Sequence, residues 1–193
     1  MVFDLYDFDK TVYKKDCSME FWKYCLRRRP YLAILSPVQL FGVCLMKFRR
    51  TNKFGKTLML SYVRFVDTER FVSDFWQKNR SLINPWFEPQ NRKNPAVICS
   101  ASPEFLIEGI CRELEVYKTI GTKADKKTGR MLGNNCKRKE KIVRIKEHFD
   151  LNETVFENAY SDSVKTDFPL LSLAQNAYHV VDGECIKVDL KKM

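Results

Sequence analysis

Val2-Phe3-Asp4-Leu5-Tyr6-Asp7-Phe8-Asp9-Lys10-Thr11 is the stretch on which the fold turns. Val2 to Tyr6 is a short apolar run and predicts a buried strand. It stops at two carboxylates one residue apart, Asp7 and Asp9. In extended backbone, residues i and i+2 point to the same side. Both carboxylates are thus placed to face one point past the strand end. Two carboxylates that close repel unless a cation lies between them, and Mg2+ suits an all-oxygen arrangement. The same residues also fit a strand followed by an Asp-rich turn.

Downstream, the pattern changes twice. Residues 13–90 are poor in Gly, and aromatic and long apolar residues recur there at helical spacing. Ser18 is placed to cap a helix through Phe21, Trp22, Tyr24, Cys25 and Leu26, which Pro30 ends. A second helical pattern covers roughly residues 57–65. Thr68 is placed to cap a third, through Phe71, Phe75 and Trp76. The segment reads as an all-helical insert, and Asn84-Pro85, Glu88-Pro89 and Asn94-Pro95 mark the return path. From Pro95 strands and helices alternate. Strands are predicted at 96–99, 116–122, 154–160 and 177–181, and helices at 103–114, 139–149 and 168–174; residues 123–133 form a turn or hairpin. This order predicts an α/β fold with a mostly parallel sheet covered by helices.

The 193 residues suffice for one domain with a modest insertion, and 45% hydrophobic with 30% charged residues suits a soluble globular chain. The first apolar run is too short and too acidic for a signal peptide. Seven scattered Cys without a Cys-x-x-Cys predict reduced thiols and a cytoplasmic location. His148 and His179 lie too far apart in sequence to suggest a zinc site. The net charge of +10 is uneven: residues 1–12 carry −2, residues 13–90 carry +9 and residues 91–193 carry +3. A basic insert favours an anionic partner, or is simply a solvated face. No nucleic-acid-binding motif accompanies it, so no specific nucleic acid is expected, although a basic binding module without catalysis is the rival of another class.

In an open parallel sheet, ligands bind at the carboxyl ends of strands. Four stretches lie at such ends or at the start of the next helix. Asp7 and Asp9 follow the first strand. Ser100, with Ala101, follows Ala96–Cys99. Lys141 stands early in a basic helix. Asp162 and Asp167 follow the strand ending at Tyr160. Taken singly, Ser100 could end a strand with Ser102 capping the next helix, Lys141 could be solvated, and Asp162 and Asp167 could serve a turn and a helix cap.

Together the four stretches resemble, in chain order, the Asp-x-Asp, Ser/Thr, Lys and spaced-Asp motifs of the haloacid-dehalogenase (HAD) superfamily. The phosphoserine-phosphatase-like branch, with its helical cap inserted after the first motif, is the most similar; Gly133-Asn134-Asn135-Cys136 and Glu140-Lys141 look like that branch too. The five-residue step from Asp162 to Asp167 departs from the four common there. The resemblance implies a Rossmann-like core, residues 1–12 and 91–193, with residues 13–90 as cap. It implies a Mg2+-dependent phosphatase of a small phosphorylated metabolite. Asp7 would be the nucleophile and form an aspartyl phosphate, and Asp9 the general acid and base. Ser100 and the Ala101 amide would bind the phosphoryl oxygens, and Lys141 would offset charge. Mg2+ would be held by Asp7, the Asp9 carbonyl and Asp162, with Asp167 orienting Lys141 or a metal-bound water. Asp16 matches a position that can contact an amino substrate, and equally suits a surface site near the hinge.

Pro30 to Met46 carries no charge over 17 residues, with Arg27, Arg28 and Arg29 before it and Lys47, Arg49 and Arg50 after it. About 20 apolar residues are needed to span a bilayer, and Pro37 interrupts this run, so no span is expected. The stretch is either the core of the insert or an apolar hairpin resting on an anionic membrane. The second reading suits a lipid phosphate, and relatives in this branch that hydrolyse phosphatidylglycerophosphate carry such apolar caps.

Overall fold

Chain order and sheet order differ, and the difference puts the first strand at the centre. The computed structural model describes residues 1–46, 48 and 52–192. Its strands are β1 (Val2–Tyr6), β2 (Ala96–Pro103), β3 (Lys118–Thr122), β4 (Val155–Ser161), β5 (Ala174–Val181) and β6 (Glu184–Val188). They form one sheet in the order β3-β2-β1-β4-β5-β6. The first five run parallel, and only β6 is antiparallel to its neighbour. A strand in mid-sheet is covered on both faces and reads as an unbroken apolar run. Phe3, Leu5 and Tyr6 are accordingly buried. Asp4 is buried among them because Asn94 and Asn158 donate to its Oδ1 at 3.1 and 2.9 Å.

Helices cover both faces. Those after β2 are α5 (Glu104–Glu113), α6 (Lys139–Lys146) and α7 (Val164–Leu171). Phe3, Leu5, Val97, Cys99 and Ile120 pack with Ile145, Leu170 and Leu171 on one face. Ala96 and Ile98 pack with Leu106, Ile107 and Ile110 on the other, and that cluster continues into the insert through Phe8, Tyr13, Phe21 and Trp76.

Among the described residues, the segment between β1 and β2 is built of helices and 3-10 turns, with isolated bridges from Tyr13 to Asp9 and Ile83 and no full strand. The helices are α1 (Cys17–Arg28), α2 (Ser36–Leu45), α3 (Asn52–Met59) and α4 (Thr68–Asn79), with 3-10 turns at Pro30–Leu35 and Leu60–Phe65. Its two chain crossings are stitched side by side: Asn84 N–H donates to Val12 O at 2.8 Å, and Asn84 Nδ2 donates to Thr11 O at 2.6 Å. Farther along, Trp76 Nε1 donates to Leu106 O of α5 at 2.6 Å.

Several local expectations shift. The cap of α1 is Asp16, not Ser18: Asp16 Oδ1 accepts from Met19 N–H at 2.9 Å. Asp67 rather than Thr68 caps α4 in the same way. Helix α7 starts four residues earlier than expected and kinks at Asp167, where Pro169 cannot supply its amide to the ladder. The antiparallel strand β6 was not anticipated. Its residues are mostly exposed, so it shows no inward–outward alternation. The turn before it, Asp182-Gly183 with φ of 50° and 88°, is a two-residue hairpin connection that an Asp-Gly pair favours.

The apolar run Pro30–Met46 is core only in part, through Leu32 with Leu35 packed beside it. Leu32 is buried and Leu35 half-buried, but Tyr31, Ile34, Val38, Leu40, Phe41 and Val43 are exposed. Its expected basic flank Lys47, Arg49 and Arg50 lies outside the described residues.

Candidate active site

The carboxyl ends of β1, β2 and β4 meet beside the N-termini of α1 and α6. Register explains how. Tyr6 of β1 pairs with Ile98 of β2 and with Tyr160 of β4, so β1 and β4 end nearly level while β2 runs on to Pro103. The Asp7 amide still bonds Tyr160 O at 2.9 Å, and Asp162 N–H donates to Thr11 Oγ1 at 2.8 Å. The loop after β1 and the loop after β4 are thereby fixed to each other.

Lys141 is at the centre. Its side chain is only 2% exposed, and Nζ donates to Asp7 Oδ1 at 2.7 Å and to Asp167 Oδ2 at 2.8 Å. Ser161 Oγ also donates to Asp167 Oδ2, at 2.8 Å. Burial alone would pull the Lys141 ammonium down, but Asp7 and Asp167 outweigh it and hold it well above the ordinary lysine range. Burial pushes the Asp7 carboxyl up to about 7, against the pull of Lys141. The motif lysine, the first motif aspartate and the late aspartate thus form one ion-paired group. Asp167 is on Lys141 itself.

Asp9 faces elsewhere. Its Oδ1 accepts from the Cys17 amide at the N-terminus of α1, at 2.7 Å, and its Oδ2 from Ser102 Oγ at 2.5 Å. Burial raises its carboxyl, and the neighbouring Asp16 raises it further. A carboxyl shifted upward in this way is suited to general-acid work. Asp16 therefore acts on this site through the cap of α1 and through its charge.

Ser100 to Ser102 form a bulge. Cys99 pairs with Ile120 and Pro103 with Thr122, so β2 spends two more residues than β3 over this interval. Ser100, fully buried, accepts the Ser102 amide on its Oγ at 3.0 Å. Ala101 O accepts from Thr122 Oγ1 at 2.7 Å and also from the ammonium of Lys56. Lys56 comes from α3 of the insert. It is buried, donates to Asn135 Oδ1 at 2.7 Å, and is pulled down to about 8 by burial. Asn135, in the Gly-Asn-Asn-Cys stretch, also donates to Asn52 Oδ1 of α3 at 3.1 Å.

Two of these residues were missed in the sequence. Ser102 read as a helix cap, but α5 begins after Pro103 without a side-chain cap, and the hydroxyl goes to Asp9. Lys56 carried no signal, since one lysine in a basic helical segment is usually solvated.

Asp162 is half-buried, and burial raises its carboxyl, with Asp167 adding to the effect. It borders a groove of about 580 Å³ lined also by Lys10, Lys14, Asn84 and His179. His179 Nε2 lies 2.9 Å from Asp162 O. Among the described residues, no three His, Cys, Asp or Glu side chains form a metal cluster. The expected Mg2+ set does not need one: it takes two carboxylates, Asp7 and Asp162, and the backbone carbonyl of Asp9. The donors fit a hard cation, being all oxygen. Asp167 Oδ1 is buried without a hydrogen-bond partner among the described residues, an acceptor left for water on such a cation.

A model of the haloacid dehalogenase-like hydrolase family matches residues 5–172. The chain is 34% identical over 199 residues to a protein of Caulobacter vibrioides called CicA, covering 93% of this chain and 86% of that one. A solved structure of a Bordetella pertussis protein of unknown function matches with a TM-score of 0.71 at 19% identity, over 92% of this chain and 89% of the other. A phosphoserine phosphohydrolase-like protein from Francisella tularensis matches with a TM-score of 0.55 at 16% identity, over 93% and 87%. At such identities the structural likeness speaks for the fold.

Proposed function

Because the chain belongs to the haloacid dehalogenase-like hydrolases, we propose that it is a Mg2+-dependent phosphatase of small phosphorylated metabolites, working through an aspartyl phosphate on Asp7. The observation that carries the reading is the buried group Asp7–Lys141–Asp167 at the end of the central strand, with a differently held Asp9 two residues on. Two carboxyl groups in distinct environments suit distinct roles.

The nucleophile must be anionic and aimed. Lys141 fixes one Asp7 oxygen and leaves the other to attack phosphorus. The P–O bond to the leaving group breaks as the new bond to Asp7 forms, and the proton on Asp9 goes to the leaving oxygen. Asp9 is then a carboxylate held by the Cys17 amide and Ser102 Oγ. It takes a proton from the water that attacks the aspartyl phosphate, releasing inorganic phosphate and restoring Asp7. Ser100 and the amides of the bulge bind the phosphoryl oxygens. Mg2+ would be held by Asp7, Asp162 and the Asp9 carbonyl, and would supply positive charge against the transferring group.

The helical segment 13–90 serves as the cap. Lys56 ties it to the phosphate-binding bulge through Ala101 O. All seven cysteines are free, which suits a cytoplasmic enzyme. The test is phosphate release over phospho-amino acids, sugar phosphates, nucleotides and lipid phosphates, with Mg2+ or EDTA. Release by several small phosphomonoesters only with Mg2+ supports the reading. No release from any class, by folded protein with Mg2+, refutes it.

A further inference from the structure

Helix α2 is built inside out for water. Its buried positions are Gln39 and Gly42. Its outward positions include Val38 at 44% exposure, Leu40 at 61% and Phe41 at 58%. A surface helix in water shows the reverse arrangement. The inward residues have defined tasks. Gln39 Oε1 accepts from Trp22 Nε1 of α1 at 2.9 Å. Gly42 meets Gly55 of α3 backbone to backbone: a Cβ on Gly42 would stand 2.6 Å from Gly55 O, and one on Gly55 2.5 Å from Gly42 O. Helices that touch at the backbone send their large side chains outward. The outward set continues beyond α2 with Ile34 at 82%, Phe48 at 64% and Phe54 at 57%. So many exposed large apolar residues close together mark an interaction surface.

Charge selects the partner. Residues 21–66, which contain α2 and α3, hold ten Lys and Arg and no Asp or Glu, equal to the whole net charge of +10. Arg27 and Arg29 end α1 in solvent, and Lys53 is exposed on α3. A second copy of this face would set one acid-free basic segment against another. A nucleic acid would match the charge and leave Ile34, Leu40 and Phe41 in water. An anionic bilayer matches both features.

We propose that the α2–α3 hairpin is a docking surface for an anionic lipid bilayer, with α2 lying in the plane of the interface. Ten residues of helix reach about 15 Å, half of the roughly 30 Å hydrocarbon core. Among the described residues no helix is long and apolar enough to cross a membrane. Insertion to the headgroup–acyl boundary is the geometry left to such a helix. Because α3 also carries Lys56, the docking surface and the phosphate-binding bulge are joined by one helix. The surface goes beyond the proposed chemistry and is read without turnover.

The test is sedimentation of the full-length chain with phosphatidylcholine vesicles, with and without phosphatidylglycerol. The parent should bind the anionic vesicles at low ionic strength, bind less as salt rises, and bind neutral vesicles far less. Leu40→Gln with Phe41→Gln should weaken partition at least about tenfold while the thermal midpoint and circular dichroism stay unchanged. Ile34→Gln, at the most exposed position, should weaken it in the same direction. No binding of the parent at low ionic strength overturns the proposal, and so does equal binding by the parent and these variants, which would leave charge alone. Variants that all unfold would mean the face is covered within the protein. A concentration-dependent dimer in light scattering that the substitutions abolish, without vesicle binding, would give the surface to a second copy.

Discussion

Removing the Lys141 charge should destabilise the metal-free protein in a way that depends on pH. Lys141→Met keeps the length of the side chain and deletes the ammonium. Asp7 and Asp167, whose oxygens stand 2.7 and 2.8 Å from Nζ, are then left facing each other across a buried gap. Taking one partner from a buried ion pair costs about 3–5 kcal/mol, because the remaining charge keeps its desolvation penalty. The protein has one escape, protonation of Asp7, whose carboxyl already stands at about 7. Loss of the cation raises it further. A raised folded pKa gives stability below the unfolded value near 4 that is lost as pH rises through the folded value. The destabilisation should therefore be full at pH 8 and shrink toward about 1 kcal/mol, the packing change alone, near pH 5. Urea unfolding in EDTA at the two pH values measures it. Asp167→Asn on the Lys141→Met background should recover at least half of the loss at pH 8, since it removes one of the two charges. A loss under about 1 kcal/mol at pH 8, or the same loss at both pH values, would refute the reasoning.

Asp7→Asn should abolish phosphate release while the protein stays folded, since the amide cannot attack as an anion; turnover by the folded variant contradicts the assignment. Asp9→Asn should slow breakdown of the intermediate, so that intact-mass measurement finds phosphate retained on the protein; if turnover is unaffected, the acid–base role of Asp9 is wrong. Mg2+ should raise the thermal midpoint more at pH 8 than at pH 5: burial holds Asp7 up to about 7, so below that the carboxyl is protonated and a poor ligand. Equal shifts at both pH values would exclude Asp7 as a ligand. Gly55→Ala should cost about 1–3 kcal/mol in thermal or urea unfolding, because the new methyl meets Gly42 O, a backbone atom that cannot rotate away; unchanged stability would show that α2 and α3 do not cross at these glycines.

The sequence by itself determined the parallel α/β core and its motif positions. Val2–Tyr6 is legible because a central parallel strand must be apolar on both faces. Asp7, Ser100, Lys141 and Asp162 are legible because strand ends and helix starts are local features, and chain order then collects them at one edge of the sheet. The all-helical character of the insert followed from spacing in the same way. Other decisions needed residues distant in the chain. Asp16 took the cap of α1 from Ser18, whose hydroxyl instead lies 3.0 Å from Ser102 Oγ across 84 residues. Ser102 joined the site because the β2 bulge turns it to Asp9, and bulges leave no periodic trace. Lys56 was invisible because its partners, Ala101 and Asn135, lie 45 and 79 residues away. The fate of Pro30–Met46 shows the limit most directly: hydrophobicity states that a side chain avoids water, and only packing decides whether the protein itself provides the cover. Here the contact between Gly42 and Gly55 closes the seam at the backbone and leaves Leu40 and Phe41 outside.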